Sequence, residues 1–140
     1  MAYIAQEPIL GGLLFDFIKY SGKFNEKTCR HYLKQILLGV HHIHKNGYAH
    51  RDLKIENILF DLNYQAKIID FGFSSPLKGS DDFDEDLVIS GTKEFMAPEM
   101  LDGKSFQGEA TDVFALGCIL FIICTGHYPF ESALKNDYFY

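Results

Sequence analysis

The 140-residue chain has no tryptophan, only three cysteines and no long hydrophobic run. Cys29, Cys118 and Cys124 are odd in number and irregular in spacing, and two of them sit in an apolar stretch. No Cys-x-x-Cys or Cys/His spacing occurs, which argues against a zinc site. Reduced, buried thiols and an intracellular, cytoplasmic protein are expected instead. Basic charge is also short: 13 Lys and Arg face 19 Asp and Glu, a formal net charge of -6. That balance argues against a nucleic-acid partner, which needs a basic face. The first residues lack the basic stretch and apolar core of a signal peptide. The longest apolar run, Val113 to Ile123, is too short to cross a bilayer and contains Gly117. No membrane is expected, and the chain reads as soluble. Repeats, low-complexity tracts and linkers are missing too, which leaves one domain.

Apolar residues are abundant enough to bury a core. Tyr3 to Gln6 reads as the end of a strand, stopped by Pro8. Gly11-Gly12 opens a short helix, Leu13 to Tyr20, with Leu14, Phe15 and Ile18 at helical spacing. Asn25 is an N-cap for a long helix running to about Asn46, with Gly47 past its end. Its apolar stripe is Cys29, Leu33, Ile36, Leu37, Val40 and Ile43. A loop, Tyr48 to Asn57, leads into a hairpin of Ile58-Leu59-Phe60 and Ala66-Lys67-Ile68-Ile69. Phe71 to Gly91 is rich in Gly, Ser and Asp, the mark of a functional or mobile loop. Asp112 to Thr125 is apolar on nearly every side, which predicts a central helix covered all round. The chain is therefore expected to be mainly α with a small β-hairpin.

The chemistry gathers around that hairpin. Asp52 and Asn57 directly precede it, and Asp70-Phe71-Gly72 follows it. A tight hairpin returns the chain to where it left, so Asp70 comes near Asn57, with Asp52 and Lys54 beside them. Two carboxylates and an amide oxygen are hard ligands that suit Mg²⁺ carrying a polyphosphate, since Mg²⁺ takes few protein ligands. A lysine there can neutralise charge on a phosphoryl group in transfer. The histidines at 41, 42 and 44 read as a helix end rather than a metal site.

His50-Arg51-Asp52-Leu53-Lys54-Ile55-Glu56-Asn57, then Asp70-Phe71-Gly72, then Gly91-Thr92-Lys93-Glu94-Phe95-Met96-Ala97-Pro98-Glu99 resembles the eukaryotic serine/threonine protein kinase family in order and spacing. Lys54 resembles the serine/threonine branch. The segment from Gly11 to Ile18, with Ser21-Gly22-Lys23-Phe24, resembles the calcium/calmodulin-dependent and AMP-activated-like group. The resemblance implies an incomplete carboxy-terminal lobe of the protein-kinase fold, an α+β fold, running over 1–140 from the hinge to just after the central helix. It implies ATP and Mg²⁺ as cofactors, a protein substrate with Ser or Thr, and a regulatory protein as a further partner.

The family's roles carry over by position. Asp52 would orient or accept the substrate hydroxyl proton, and Lys54 would contact the γ-phosphate. Asn57 and Asp70 would hold Mg²⁺, and Thr92 would bond to the Asp52/Lys54 pair. Glu7 and Ile9 fall where the hinge offers backbone groups to adenine, with Leu59, Ile119 and Ile123 continuing the adenine stack. His50 and Phe71 would join the regulatory spine, Gly72 completes the motif after Asp70, and Asp112 would hold the loop from below. Arg51 normally pairs with a phosphorylated activation residue. Val88 stands at that position here, so Asp84, Glu85 or Asp86 would neutralise Arg51, unless the acidic run is simply a solvated loop.

Some features depart from the family. Leu13 and Ile122 replace acids that read ribose and basic substrates, so sharp Arg selection is not expected. Lys93 stands where Pro is common. The 140 residues contain no Gly-rich phosphate loop, no strand lysine and no partner Glu on a preceding helix. The last helices of the fold, with the Arg that would pair with Glu99, are also missing. Two consequences are expected: the face around Ile119 to Ile123 is part-open, and this polypeptide alone is inactive or nearly so. An inactive, pseudokinase-like interaction module is the rival reading. A small-molecule phosphotransferase would not explain Lys54 or the Gly91-to-Glu99 segment.

Overall fold

Asn25 starts the longest helix. Its side chain accepts a hydrogen bond from Thr28 N–H at 2.9 Å, filling one of the donors that a helix start leaves open. In the computed structural model, which describes Tyr3 and residues 5–77, 92–103 and 106–140, that helix is one of four. They are α1 (Leu14–Ser21), α2 (Glu26–Lys45), α3 (Pro98–Leu101) and α4 (Gly108–Thr125). Four short strands accompany them: β1 (Tyr48–Ala49), β2 (Ile58–Phe60), β3 (Ala66–Ile68) and β4 (Ser75–Pro76). Two 3-10 turns, Ile55–Asn57 and Lys93–Phe95, complete the set. Gly47, with φ of 81°, ends α2 in the left-handed region as expected.

β2 and β3 form the predicted antiparallel hairpin, with Ile58 opposite Ile68 and Phe60 opposite Ala66. A second pair, β1 with β4, joins Tyr48 to Pro76 and Ala49 to Ser75 inside stretches expected to be loop. Two-residue strands are too short to show alternation, so no pattern announces them. The strand expected over Tyr3 to Gln6 is not formed in its described residues. A strand needs a neighbour for its backbone groups, and no described strand pairs with this one.

The core lies between α2 and α4, with α1 and the hairpin closing its sides. Leu14, Ile18, Cys29, Ile36, Val40, Leu53, Ile58, Phe60, Ile119 and Ile123 are buried together. Leu37, expected in the buried stripe of α2, is 45% exposed. At 100° per residue it points about 80° from Cys29, whereas Leu33, Ile36, Val40 and Ile43 lie within about 40°. Gly11 anchors α1 to the hairpin. Its N–H donates to the Phe60 carbonyl at 2.7 Å, and Phe60 N–H donates to the Gly12 carbonyl at 2.8 Å. A Cβ at Gly11 would run into the Phe60 and Asp61 carbonyl oxygens.

α4 begins a turn earlier than expected and is not covered all round. Asp112, Ala115, Leu116, Cys118, Ile119, Ile122 and Ile123 are buried, while Val113, Leu120 and Phe121 are exposed. The part-open face expected around Ile119 to Ile123 therefore narrows to Leu120 and Phe121. Cys124 is exposed as well, against the expectation of three buried thiols; Cys29 and Cys118 are buried. Near-uniform apolarity hides which side of a helix faces the core. With 18 residues and a mean hydropathy of 1.7, α4 is also long and apolar enough to cross a membrane. The eleven-residue run read from sequence understated it, but its packing against α2 is that of a core helix.

Candidate active site

β1 ends at Ala49 and hands the chain to a loop that Asp112 holds from α4. Asp112 is 1% exposed. One of its carboxylate oxygens, Oδ2, accepts from His50 N–H at 2.8 Å, and the other, Oδ1, from Arg51 N–H at 2.8 Å. This double acceptor supports Arg51 at φ of 69°, a left-handed conformation strained for a residue with a long side chain. Gly108 lets α4 approach closely enough: a Cβ there would sit 2.5 Å from the Ala49 Cβ. The Arg51 guanidinium lies 5.6 Å from the Phe106 ring centre.

His50 is fully buried and ties the loop to the end of the hairpin. Its Nε2 lies 2.9 Å from the Ile69 carbonyl oxygen, which can only accept, so Nε2 carries the proton. Nδ1 is then free to accept from Asp52 N–H at 3.3 Å. The ring centre of Phe71 is 4.9 Å away. Next door, Ile69 N–H donates to the Asn57 carbonyl at 3.0 Å, linking Asn57 to the residue before Asp70. Asp70 adopts φ of 63°, and its carboxylate accepts from Gly72 N–H at 3.2 Å.

Asp52 is 5% exposed. Its Oδ2 receives Lys54 Nζ at 2.7 Å and Asn57 Nδ2 at 3.0 Å. Asn57 Nδ2 also donates to the Asp52 carbonyl at 2.9 Å, and Lys54 Nζ to Thr92 Oγ1 at 3.2 Å. Asp52, Lys54, Asn57 and Thr92 are thus one connected network.

Glu7, Ile9, Leu59 and Asp70 come together differently, along a cleft of about 680 Å³ shared with Gln6, Ile69, Phe71 and Gly72. Lys54 and Asn57 do not line that cleft. Ile119 and Ile123, expected to continue the stack below Leu59, are fully buried in the core. Glu99 lies in the first turn of α3 and forms no ion pair among the described residues. The acidic run 81–86, Val88 and Gly91 lie outside the described residues, so the pairing expected for Arg51 does too. Among the described residues no group of three or more His, Cys, Asp or Glu could hold a metal ion.

The family model described as the protein kinase domain matches residues 1–139. The chain belongs to the protein kinase domain family. This kinase chain is 41% identical over 131 residues to CBL-interacting serine/threonine-protein kinase 24 of Arabidopsis thaliana, covering 93% of the chain and 29% of that protein. It is 38% identical to maternal embryonic leucine zipper kinase of Danio rerio, over 93% of the chain and 19% of that protein. Against serine/threonine-protein kinase cds1 of Schizosaccharomyces pombe the figures are 37%, 94% and 29%. The kinase chain thus spans 19–29% of the length of these relatives. They agree with the recognition of a serine/threonine protein kinase in the calcium/calmodulin-dependent and AMP-activated-like group.

Two features of this kinase chain escape sequence reading. His44, read as a helix-end residue, also bonds Asp112 Oδ2 through Nε2 at 2.8 Å. No local spacing signals a contact between residues so far apart. Glu56, quoted only within its motif, accepts from Tyr128 O–H at 3.4 Å through Oε1, while Oε2 is buried without a partner among the described residues. Burial, with Glu56 and Glu94 nearby, pushes the Tyr128 phenol up to about 12.

Proposed function

We propose that the chain is part of the catalytic domain of a serine/threonine protein kinase, the stretch from the hinge to just past the central helix of the carboxy-terminal lobe. Its reaction is transfer of the γ-phosphoryl group of ATP to a Ser or Thr hydroxyl of a protein. The hydrogen-bonded set of Asp52, Lys54, Asn57 and Thr92 carries this reading. Lys54 and Asn57 occupy one oxygen of Asp52. The other oxygen is left to accept the substrate hydroxyl's hydrogen and turn its lone pair toward phosphorus. Lys54, drawn between Asp52 and Thr92, is a fixed cation for the phosphoryl oxygens. Such catalysis is positioning and electrostatics, and preformed hydrogen bonds provide both.

The donor set fits Mg²⁺. Asn57 commits its amide nitrogen to Asp52, which leaves its carbonyl oxygen as a hard ligand. The exposed Asp70 carboxylate is the second. Mg²⁺ characteristically takes one or two carboxylates and completes its shell from phosphate and water. Asn57 and Asp70 would hold it, and it would neutralise phosphate charge. The cleft volume of about 680 Å³ is in the range of small-molecule sites and supports nucleotide binding there. Glu7 and Ile9 would offer backbone groups to adenine, and Leu59 would pack beneath it.

A second reading, a non-catalytic interaction module, is favoured by the exposed Val113, Leu120 and Phe121 of α4. The two separate in one assay. The intact protein is given Mg-ATP labelled at the γ-phosphate and matched peptides ending in Ser, Thr or Tyr hydroxyls. Label in the Ser and Thr peptides, lost on chelation of Mg²⁺, supports the kinase. Absence of transfer under every condition favours the module.

A further inference from the structure

Cys29 stands in the first turns of α2 and Cys124 in the last turn of α4, and the fold sets these two helix ends together. Phe24 N–H donates to the Ile123 carbonyl at 2.9 Å. The Cys29 sulfur lies 3.4 Å from that same carbonyl oxygen and 3.6 Å from the carbonyl oxygen of Phe24. It is therefore beside the peptide that joins Ile123 to Cys124. Their surroundings differ: Cys29 is 3% exposed, whereas Cys124 is open to solvent. Neither lines the cleft at Asp70 or touches the Asp52 network.

We propose that Cys29 and Cys124 form a redox pair that closes to a reversible disulfide and clamps the start of α2 to the end of α4. The oxidant is a hydroperoxide, of which hydrogen peroxide is the simplest. The accessible Cys124 thiolate attacks a peroxide oxygen and the O–O bond breaks. Cys124 becomes a sulfenic acid, and the departing hydroxide takes a proton to give water. The Cys29 thiolate then attacks the Cys124 sulfur; the S–S bond forms, the S–O bond breaks, and a second water leaves. Two thiols and one hydrogen peroxide thus give one disulfide and two waters, the two electrons passing from sulfur to oxygen. A dithiol reductant reverses the closure. A transient bond of this kind is the sort found in reducing compartments.

Burial pushes the Cys29 thiol up to about 11, and the Cys124 thiol on α4 and Glu26 on α2 add to this. Cys29 is therefore mostly protonated near neutrality, and closure accelerates as pH rises.

The test is a peptide map of the intact protein, reduced and then exposed to hydrogen peroxide at rising pH, digested without reductant. The expected product is one peptide pair joined through Cys29 and Cys124, released by dithiothreitol, with the buried Cys118 unmodified. Cys29→Ser, or Cys29→Ala if the hydroxyl disturbs folding, should remove the pair and leave a dimedone-trapped sulfenic acid on Cys124. The map of the unaltered protein stands without either variant. Oxidation of Cys124 to sulfinic acid while Cys29 stays a free thiol would overturn the proposal. A Cys124–Cys124 link between two copies as the sole product would overturn it too.

Discussion

Asp112 does the most at the residue scale for a side chain outside the Asp52 network. It satisfies the buried N–H groups of His50 and Arg51 and holds His44. Asp112→Ala leaves these donors without an acceptor, and each buried orphan costs about 1–3 kcal/mol. Urea unfolding should show a loss of about 3 kcal/mol or more, and Arg51 should relax from its positive φ. A loss under about 0.5 kcal/mol, the size of an ordinary surface change, would remove this account of the loop's support. Cys118 gives a pH effect. Burial raises its thiol from 9.0 to about 11, so the folded chain keeps a proton that the unfolded chain releases. Its contribution is full below pH 9.0 and is lost as pH rises to about 11. Denaturant midpoints under reducing conditions should fall across that window, less steeply in Cys118→Ala. The grouping of Asp52, Lys54 and Asn57 was legible, because they belong to one short motif before the hairpin; Asp70 instead lines the cleft. The bond from His44 to Asp112 was not, since it depends on how two helices pack.

Elements were legible in proportion to their length. α2 announced itself through Asn25, its apolar stripe and Gly47. Asn25→Ala removes the bond to Thr28 N–H and should lower stability by about 1 kcal/mol, read from thermal or urea unfolding. An unchanged midpoint would show that the cap contributes nothing here. β1 and β4 gave no signal, because a two-residue ladder has no periodicity to read. Donors of different kinds hold the end of α4. Thr125 O–H bonds the Phe121 carbonyl at 2.8 Å, Gly126 N–H the Ile122 carbonyl at 2.8 Å, and Phe24 N–H the Ile123 carbonyl at 2.9 Å. The Ile122 and Ile123 carbonyls are among those that a helix end otherwise leaves open. Gly126 was visible as a stop signal; Phe24 was not. Uniform apolarity also concealed the two faces of α4, which packing against α2, β1 and the Lys93–Phe95 turn separates.

At the scale of the whole molecule, the Asp52 network and the cleft lie at the two ends of the hairpin's connections, and α4 holds the loop through Asp112. Val113, Leu120 and Phe121 are apolar side chains exposed on that helix. Exposed apolar surface promotes association. A polypeptide of residues 1–140 should therefore elute larger with rising concentration in size-exclusion chromatography, and Leu120→Glu with Phe121→Glu should reduce this. Monomeric behaviour at all concentrations would show that the face is harmless. The family itself was legible from sequence, because its motifs are contiguous and ordered. The cleft's shape was not, because its walls come from segments as distant as Glu7 and Gly72.

The central claim is that the Asp52 network performs phosphoryl transfer. Asp52→Asn in the intact protein keeps the shape and removes the carboxylate. The rate of Mg-ATP-dependent phosphorylation of a Ser/Thr peptide should fall by about 10²–10⁴-fold, the contribution of a positioned general base, with the fold intact by circular dichroism. A variant that transfers phosphate as fast as the unaltered protein would contradict the account.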